Sequence, residues 1–285
     1  MRWDFGSVYK DIRRSKHISQ ERVCQDMISR SNLSRIEANQ VMPSFETMDY
    51  LLSQINMTFD EFRYICHLYQ HSEQEEILLM EKKKIFLRST GDLIDFQKRC
   101  ETYLQKNPYN IPVQNILKRI NIVLSIRQTG PSQDSKDLSQ LAWEEMKNQD
   151  AWYKSDLEML VVILLGLPLD TIITICDEVL ERLKDYKDYV EIIPIKYSLL
   201  ANLSSVFLWN GLMDRCTDIS QMLLEVAHET KRYDHLGAAQ VRLGICLKDE
   251  ELIHKGLQLL KLTEETALFT ACQQEADRFY FKKEA

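Results

Sequence analysis

Apolar residues recur at intervals of three and four along almost the whole chain, the period of helices buried on one face. Between residues 3 and 17, Phe5, Val8, Tyr9 and Ile12 mark one face, while Lys10, Arg13 and Arg14 mark the other. Ser19 is a natural N-cap for a second helix running to about Met27, with Val23, Cys24 and Met27 as its apolar positions. Ile28-Ser29-Arg30 reads as a tight turn, and Ser31 or Asn32 opens a third helix with Leu33 and Ile36 pointing inward. Asn39 falls where the chain must reverse, and Asn tolerates the left-handed region better than most side chains. Pro43-Ser44 starts a fourth helix through Phe45, Met48, Leu51, Leu52 and Ile55, and Thr58 starts a fifth through Phe59 and Phe62. Five short helices within residues 1–68 make one module.

Beyond it, His71–Glu76 is polar and suits either a linker or the lead-in to a long helix beginning near Ile77. From there the helical period is interrupted only by short breaks: Ser89–Gly91, Asn107–Pro112, Gln128–Gln133, Gly166–Pro168, Asp185–Asp188, Asn210-Gly211, Tyr233-Asp234 and Lys248-Asp249. Helices joined by such short turns form stacks of helix pairs. The segment Tyr197–Gly211 is echoed by Tyr233–Leu247, each followed by a further amphipathic stretch, at a spacing near the tetratricopeptide length. The expected architecture is all-α: a five-helix head in residues 1–68, a linker over 69–76, and a degenerate tetratricopeptide-like α-solenoid over 77–285. An irregular helical bundle is the other arrangement compatible with the pattern.

Composition supports this and narrows the environment. Only 8 Gly and 6 Pro occur in 285 residues, so few positions break helices. The 7 Cys are scattered, odd in number and form no C-x-x-C pair, which points to reduced thiols in the cytoplasm. The N-terminus lacks the apolar core of a signal peptide. The most apolar run, Met159–Leu169, is shorter than the roughly 20 residues of a membrane span, so no membrane association is expected. Net charge is −7, which argues against nucleic acid until its distribution is considered. Residues 1–70 carry as many basic as acidic side chains, so the remainder holds the whole deficit. Lys10, Arg13, Arg14, Lys16, Arg22, Arg30 and Arg35 crowd the stretch 10–35 against only Asp11, Glu21 and Asp26. A local basic face can attract phosphates while an acidic body stays clear of them.

That face belongs to a helix, a short polar turn, and a second helix rich in Arg, Ser and Asn. Such a pair places one helix across a DNA backbone and the next in the major groove. Ser19 and Gln20 at the start of the second helix, with Arg13 and Arg14 on the first, suit phosphates. Arg30, Ser31, Asn32, Ser34 and Arg35 lie outward on the third helix and suit base edges, since Arg pairs with guanine and Asn with adenine in bidentate fashion. Taken alone, Leu33–Glu37 could equally be an ordinary amphipathic helix with a solvated face. The ordered series of capped helices around it favours double-stranded DNA as a partner.

The stretch Ser19-Gln-Glu-Arg-Val-Cys24, followed by Ser29-Arg-Ser-Asn-Leu-Ser-Arg-Ile-Glu37, resembles the Cro/repressor-type helix-turn-helix. The turn is one residue shorter than usual and lacks its common Gly. With a helical body of this length, that form resembles the Rgg family of transcriptional regulators. The resemblance implies a homodimer whose tetratricopeptide-like domain binds a short hydrophobic signalling peptide, as in quorum sensing. It also implies polar groove residues that hold the peptide backbone. Tyr197, Asn202 and Asn210 on one helix, and Gln240 and Arg242 on a later one, are the candidates, although Asn202 could instead be satisfied between two helices. Leu164–Pro168 is apolar where relatives place polar contacts. Two rivals remain: a helical-repeat scaffold for a protein partner carrying a DNA-binding head, and a regulator with a small-molecule ligand or none.

Other signals are weaker. His67 and His71 stand four residues apart beside Cys66, but no fourth metal ligand is evident. No phosphate-binding loop, dinucleotide fingerprint or nucleophile elbow occurs, so neither an enzyme nor a cofactor is expected. Cys24 occupies a position that needs a small apolar side chain, which favours packing over redox chemistry. Trp143, Trp152 and Trp209 read as interhelical packing, or as groove lining.

Overall fold

The computed structural model describes residues 4–25, 27–82, 89–130 and 132–281. Trp3 at the start of the first expected helix, Asp26 in the second, and Pro131 within the Gln128–Gln133 break lie outside these. All regular elements among the described residues are helical. They fall into two compact units, one of residues 1–87 with 99–113, the other of 88–98 with 114–285.

In the first unit, five short helices wrap one core: α1 (Phe5–Ser15), α2 (Gln20–Cys24), α3 (Arg30–Glu37), α4 (Phe45–Gln54) and α5 (Phe59–Cys66). Val8, Tyr9, Val23, Leu33, Ile36, Leu51, Leu52, Ile55 and Phe62 fill it. Four of these helices begin at a side-chain cap, in which a hydroxyl accepts one of the backbone N–H groups that the first turn leaves without a partner. Ser19 accepts from Arg22, Ser29 from Asn32, Ser44 from Thr47, and Thr58 from Glu61. The cap of α3 is therefore Ser29, two residues before Ser31 and three before Asn32. The second helix ends at Cys24 rather than Met27, and Met27 stands 72% exposed. Gln25 takes φ 39°, a conformation that ends the helical path before the turn to α3.

Phe45 is also not a core residue. It stacks on Phe59 at 5.1 Å between ring centroids, outside the core. It occupies the first helical position after the Ser44 cap, three residues before Met48, the first buried residue of α4.

Asn39 adopts the left-handed conformation expected of it, φ 58°. Its side chain also accepts from the N–H groups of Gly6 (2.9 Å) and Ser7 (3.3 Å), so it satisfies the start of α1 across the domain. Gly6 has to be glycine there: a Cβ would lie 1.7 Å from the Ile36 carbonyl oxygen. The helix α6 (Glu73–Lys82) starts four residues before Ile77, capped by Ser72, whose hydroxyl accepts from Glu75 while the Glu75 carboxylate accepts from Ser72.

The remaining helices are α7 (Thr90–Lys106), α8 (Ile111–Thr129), α9 (Gln133–Met146), α10 (Lys154–Ile163), α11 (Leu169–Asp185), α12 (Ile193–Trp209), α13 (Met213–Thr230), α14 (Tyr233–Leu247), α15 (Glu250–Leu262) and α16 (Thr266–Ala276). Most expected breaks separate them. Thr90 and Gly91, however, begin α7, with Ser89 and Asp92 exchanging hydrogen bonds as a cap. Tyr233-Asp234 begin α14, the true break being Lys231-Arg232. Lys231 there takes the left-handed conformation that closes α13. Within the second unit, α12 packs on α10, α11 and α13, and α14 on α13, α15 and α16. Gly237 and Gly256 bring α14 and α15 into close approach, since a Cβ on Gly256 would stand 2.5 Å from the Gly237 carbonyl oxygen. Val190–Trp209 is long and apolar enough to cross a membrane by composition alone. Leu199, Leu200, Leu203, Phe207 and Leu208 of this stretch are buried in the unit's core. The pairing of α12–α13 with α14–α15, each a helix hairpin, is the repeat that the sequence echo anticipated.

Candidate nucleic-acid interface

The exposed face of α3 is built by what lies behind it. Leu33 and Ile36 are sealed into the core, which fixes the rotation of the helix. Seen from that anchor, Arg30, Ser31, Ser34 and Arg35 are exposed and Asn32 is half-buried. The helical period then places these five on the side away from the core.

Beneath them runs a buried polar network. Arg13, 5% exposed, meets Glu37, 3% exposed, in a two-pronged ion pair: Nε to Oε1 at 2.6 Å and Nη2 to Oε2 at 2.9 Å. Its remaining Nη1 donates to the Ile18 carbonyl oxygen at 2.5 Å. Gln20 donates to the same carboxylate (2.8 Å) and accepts from the Ser34 hydroxyl (3.3 Å). Arg13 thus does not stand out on the basic face beside Arg14, where the sequence pattern put it, but ties α1 to the end of α3. Helical geometry explains the split, because neighbouring residues are turned about 100° apart, so Arg14 is exposed while Arg13 faces the core. Gln20 likewise spends its amide inside the domain. The network forms the floor of a polar hollow of about 330 Å³ rimmed by Lys10, Arg14, Gln20, Arg30 and Ser34. The domain's net charge of zero conceals this one-sided basic rim.

The five candidate groove residues of the body lie on α12, at its end, and on α14. Tyr197 lies flat on His235, with rings 3.5 Å apart and 7° from parallel, and burial raises its hydroxyl pKa. Asn202 donates to the Val161 carbonyl oxygen (2.7 Å), joining α12 to α10. Arg242, expected to hold a peptide, is instead held by Glu275 through two bonds (3.0 and 2.8 Å) and donates to the Ala201 carbonyl and Ser204 hydroxyl of α12. Asn210 ends α12 and donates to Val206 in its own last turn. Gln240 is 5% exposed and its Oε1 has no hydrogen-bond partner among the described residues. Two residues apart on α14, Gln240 and Arg242 point to nearly opposite sides. Sequence reasoning missed Glu275, the partner of Arg242, because 33 residues separate them.

Among the described residues no group of three His, Cys, Asp or Glu side chains could hold a metal ion, and His71 packs against Tyr64. All seven cysteines are free thiols. Trp143 and Trp152 meet edge to face, and Trp209 packs on Phe279 and under the Arg278 guanidinium.

A helix-turn-helix head followed by a stack of helix hairpins defines the class of protein. Residues 10–62 match the family model described as helix-turn-helix. The fold as a whole is that of a candidate transcriptional regulator from Listeria monocytogenes EGD-e (15% identity, TM-score 0.70, 96% of this chain and 98% of that one). It is equally that of PlcR from Bacillus thuringiensis, solved with the peptide PapR7 and DNA (15%, 0.68, 96% and 98%). The SHP pheromone receptor Rgg2 of Streptococcus dysgalactiae shares it too (15%, 0.65, 96% and 99%). No curated protein matches significantly by sequence. The chain therefore has the all-α fold of Rgg2 and PlcR, with a helix-turn-helix head.

Proposed function

We propose that this protein is a sequence-specific, DNA-binding transcriptional regulator, a cytoplasmic homodimer whose helical body responds to a short hydrophobic signalling peptide. It is not an enzyme in this reading. The carrying observation is the outward face of α3, set on a back face that is locked by Leu33, Ile36 and the Arg13–Glu37 pair. Arg30 and Arg35 read guanine edges, Asn32 reads adenine, and Ser31 and Ser34 add shorter hydrogen bonds. Ser19, Lys10 and Arg14 hold phosphates, while Arg13 and Gln20 position the reading helix. Residues 1–68 act as the head, 77–285 as the sensing and dimerising body, and 69–76 as the join. PlcR, whose solved structure contains both peptide and DNA, supports the pairing of these two roles.

Peptide control works by population shift: the peptide binds one arrangement of the body more tightly and so favours one spacing of the two heads. Extended peptides carry N–H groups that need acceptors, and Gln240 Oε1 is a buried acceptor with no hydrogen-bond partner among the described residues.

Gel shifts on the DNA upstream of its own gene test the head. Arg30→Ala and Arg35→Ala each weaken specific binding by about 1–3 kcal/mol, and Arg14→Ala lowers the salt dependence by about one ion. Unchanged affinity in both α3 variants overturns the assignment. Calorimetry with short peptides encoded beside the gene tests the body. One observation favours a second reading, a scaffold for a protein partner: Asn202 and Arg242 are committed to interhelical bonds. A stoichiometric protein partner with no peptide effect would establish it.

A further inference from the structure

Two thiols of the body serve neither DNA reading nor peptide sensing. The helices α13 and α14 are joined by only Lys231 and Arg232, so they run antiparallel. Cys216 precedes Lys231 by fifteen residues and Cys246 follows it by fifteen. At 1.5 Å of rise per residue, both stand about 22 Å from the connection, at one level of the hairpin. The two helices pack along their length, so the thiols are neighbours there; the Cys216 thiol donates to the Ser204 carbonyl oxygen at 3.3 Å and interacts with Cys246.

The two differ in the way that a reactive and a resolving thiol differ. Cys216 is fully buried, whereas Cys246 is half-exposed and is the only one of the seven cysteines that is not buried. The hydrogen bond from Cys216, helped by the Arg242 charge, holds the Cys246 thiol below its ordinary pKa. The same contact, together with burial, pushes Cys216 up. A lowered, accessible thiol is the one that oxidants attack first.

We propose that Cys246 is a site of reversible oxidation by hydrogen peroxide, with Cys216 as its resolving partner. The Cys246 thiolate attacks one peroxide oxygen, the O–O bond breaks, and a proton completes one water, leaving a sulfenic acid. The Cys216 sulfur then attacks the sulfenic sulfur, its proton leaves with the hydroxyl as a second water, and the S–S bond forms. Two thiols are oxidised by two electrons and one peroxide is reduced. The Cys216 bond to Ser204 is lost in the process. Ser204 also receives Arg242, so oxidation acts where α12, α13 and α14 are tied together.

Thiol mapping on the full chain tests this. Reduced protein is exposed to peroxide, denatured in alkylating agent and digested for mass spectrometry. Two of the 7 thiols are expected to escape alkylation, with the Cys216 and Cys246 peptides recovered as one cross-linked species that dithiothreitol separates. Cys216→Ser is expected to leave a sulfenic acid on Cys246 that dimedone captures, and Cys246→Ser to leave the remaining thiols unoxidised over the same time. Full alkylation after peroxide, a cross-link lacking either residue, a link between two chains, or dimedone on another cysteine first would each overturn the proposal.

Discussion

Removing Arg13 should cost far more than removing any exposed arginine of the head. Arg13→Met keeps most of the side-chain volume but leaves the Glu37 carboxylate, 3% exposed, with Gln20 as its remaining donor. Two charge-assisted bonds to Glu37 and one to the Ile18 carbonyl disappear together. Breaking a buried ion pair from one side costs about 3–5 kcal/mol, because the other charge stays buried without compensation. Replacing both partners by apolar residues is often near neutral, so Arg13→Met with Glu37→Leu should recover about 2 kcal/mol or more of that loss. Hydrogen exchange of the amides in α1 and α3 of the full chain is the suitable assay, since it reads the opening of this domain separately from the body. Specific DNA affinity of the same three proteins gives a second readout: the double variant should bind better than Arg13→Met. A loss below about 1 kcal/mol in the single variant, or losses that simply add in the double variant, would refute the reasoning. A double variant that binds DNA no better than Arg13→Met would return Arg13 to the phosphate-contacting set.

Three further outcomes are expected. Gly6→Ala should destabilise the head by ~3 kcal/mol or more, read by the same exchange of α1 and α3, because the new methyl meets the Ile36 carbonyl oxygen and not a movable side chain. Lys248→Gly should raise the denaturant midpoint by the equivalent of about 0.5–1 kcal/mol. Lys248 closes α14 at φ 56°, where a side chain is strained and glycine is not. Asp234, held by Arg232, has its pKa lowered from 3.8 to about 2. Its stabilisation is therefore complete above pH 4 and lost as pH falls from about 4 towards 2. Because Arg232 is 43% exposed, the loss should be about 1 kcal/mol, and Asp234→Asn should remove that pH dependence.

The sequence by itself determined much of what depends on residues within a turn or two of each other. The apolar period placed Leu33, Ile36, Leu51, Leu52 and Ile55 inward, and all five are buried. Ser19, Ser44 and Thr58 announced their helices, and Asn39 its reversal, because a cap or a left-handed residue acts on its immediate neighbours. The outward residues of α3 follow from the same arithmetic. Their roles as base contacts stay a proposal, since the period gives direction and not partner.

Only the tertiary structure decided which polar side chains are spent inside the protein. Arg13 and Glu37 are 24 residues apart, Asn202 and Val161 are 41 apart, and Arg242 and Glu275 are 33 apart. Adjacent arginines 13 and 14 look alike in sequence, yet one is an internal tie and the other is exposed. A buried charge must find a partner of opposite sign or leave the core. Which partner it finds depends on which helices meet, a long-range outcome of packing that no local pattern encodes.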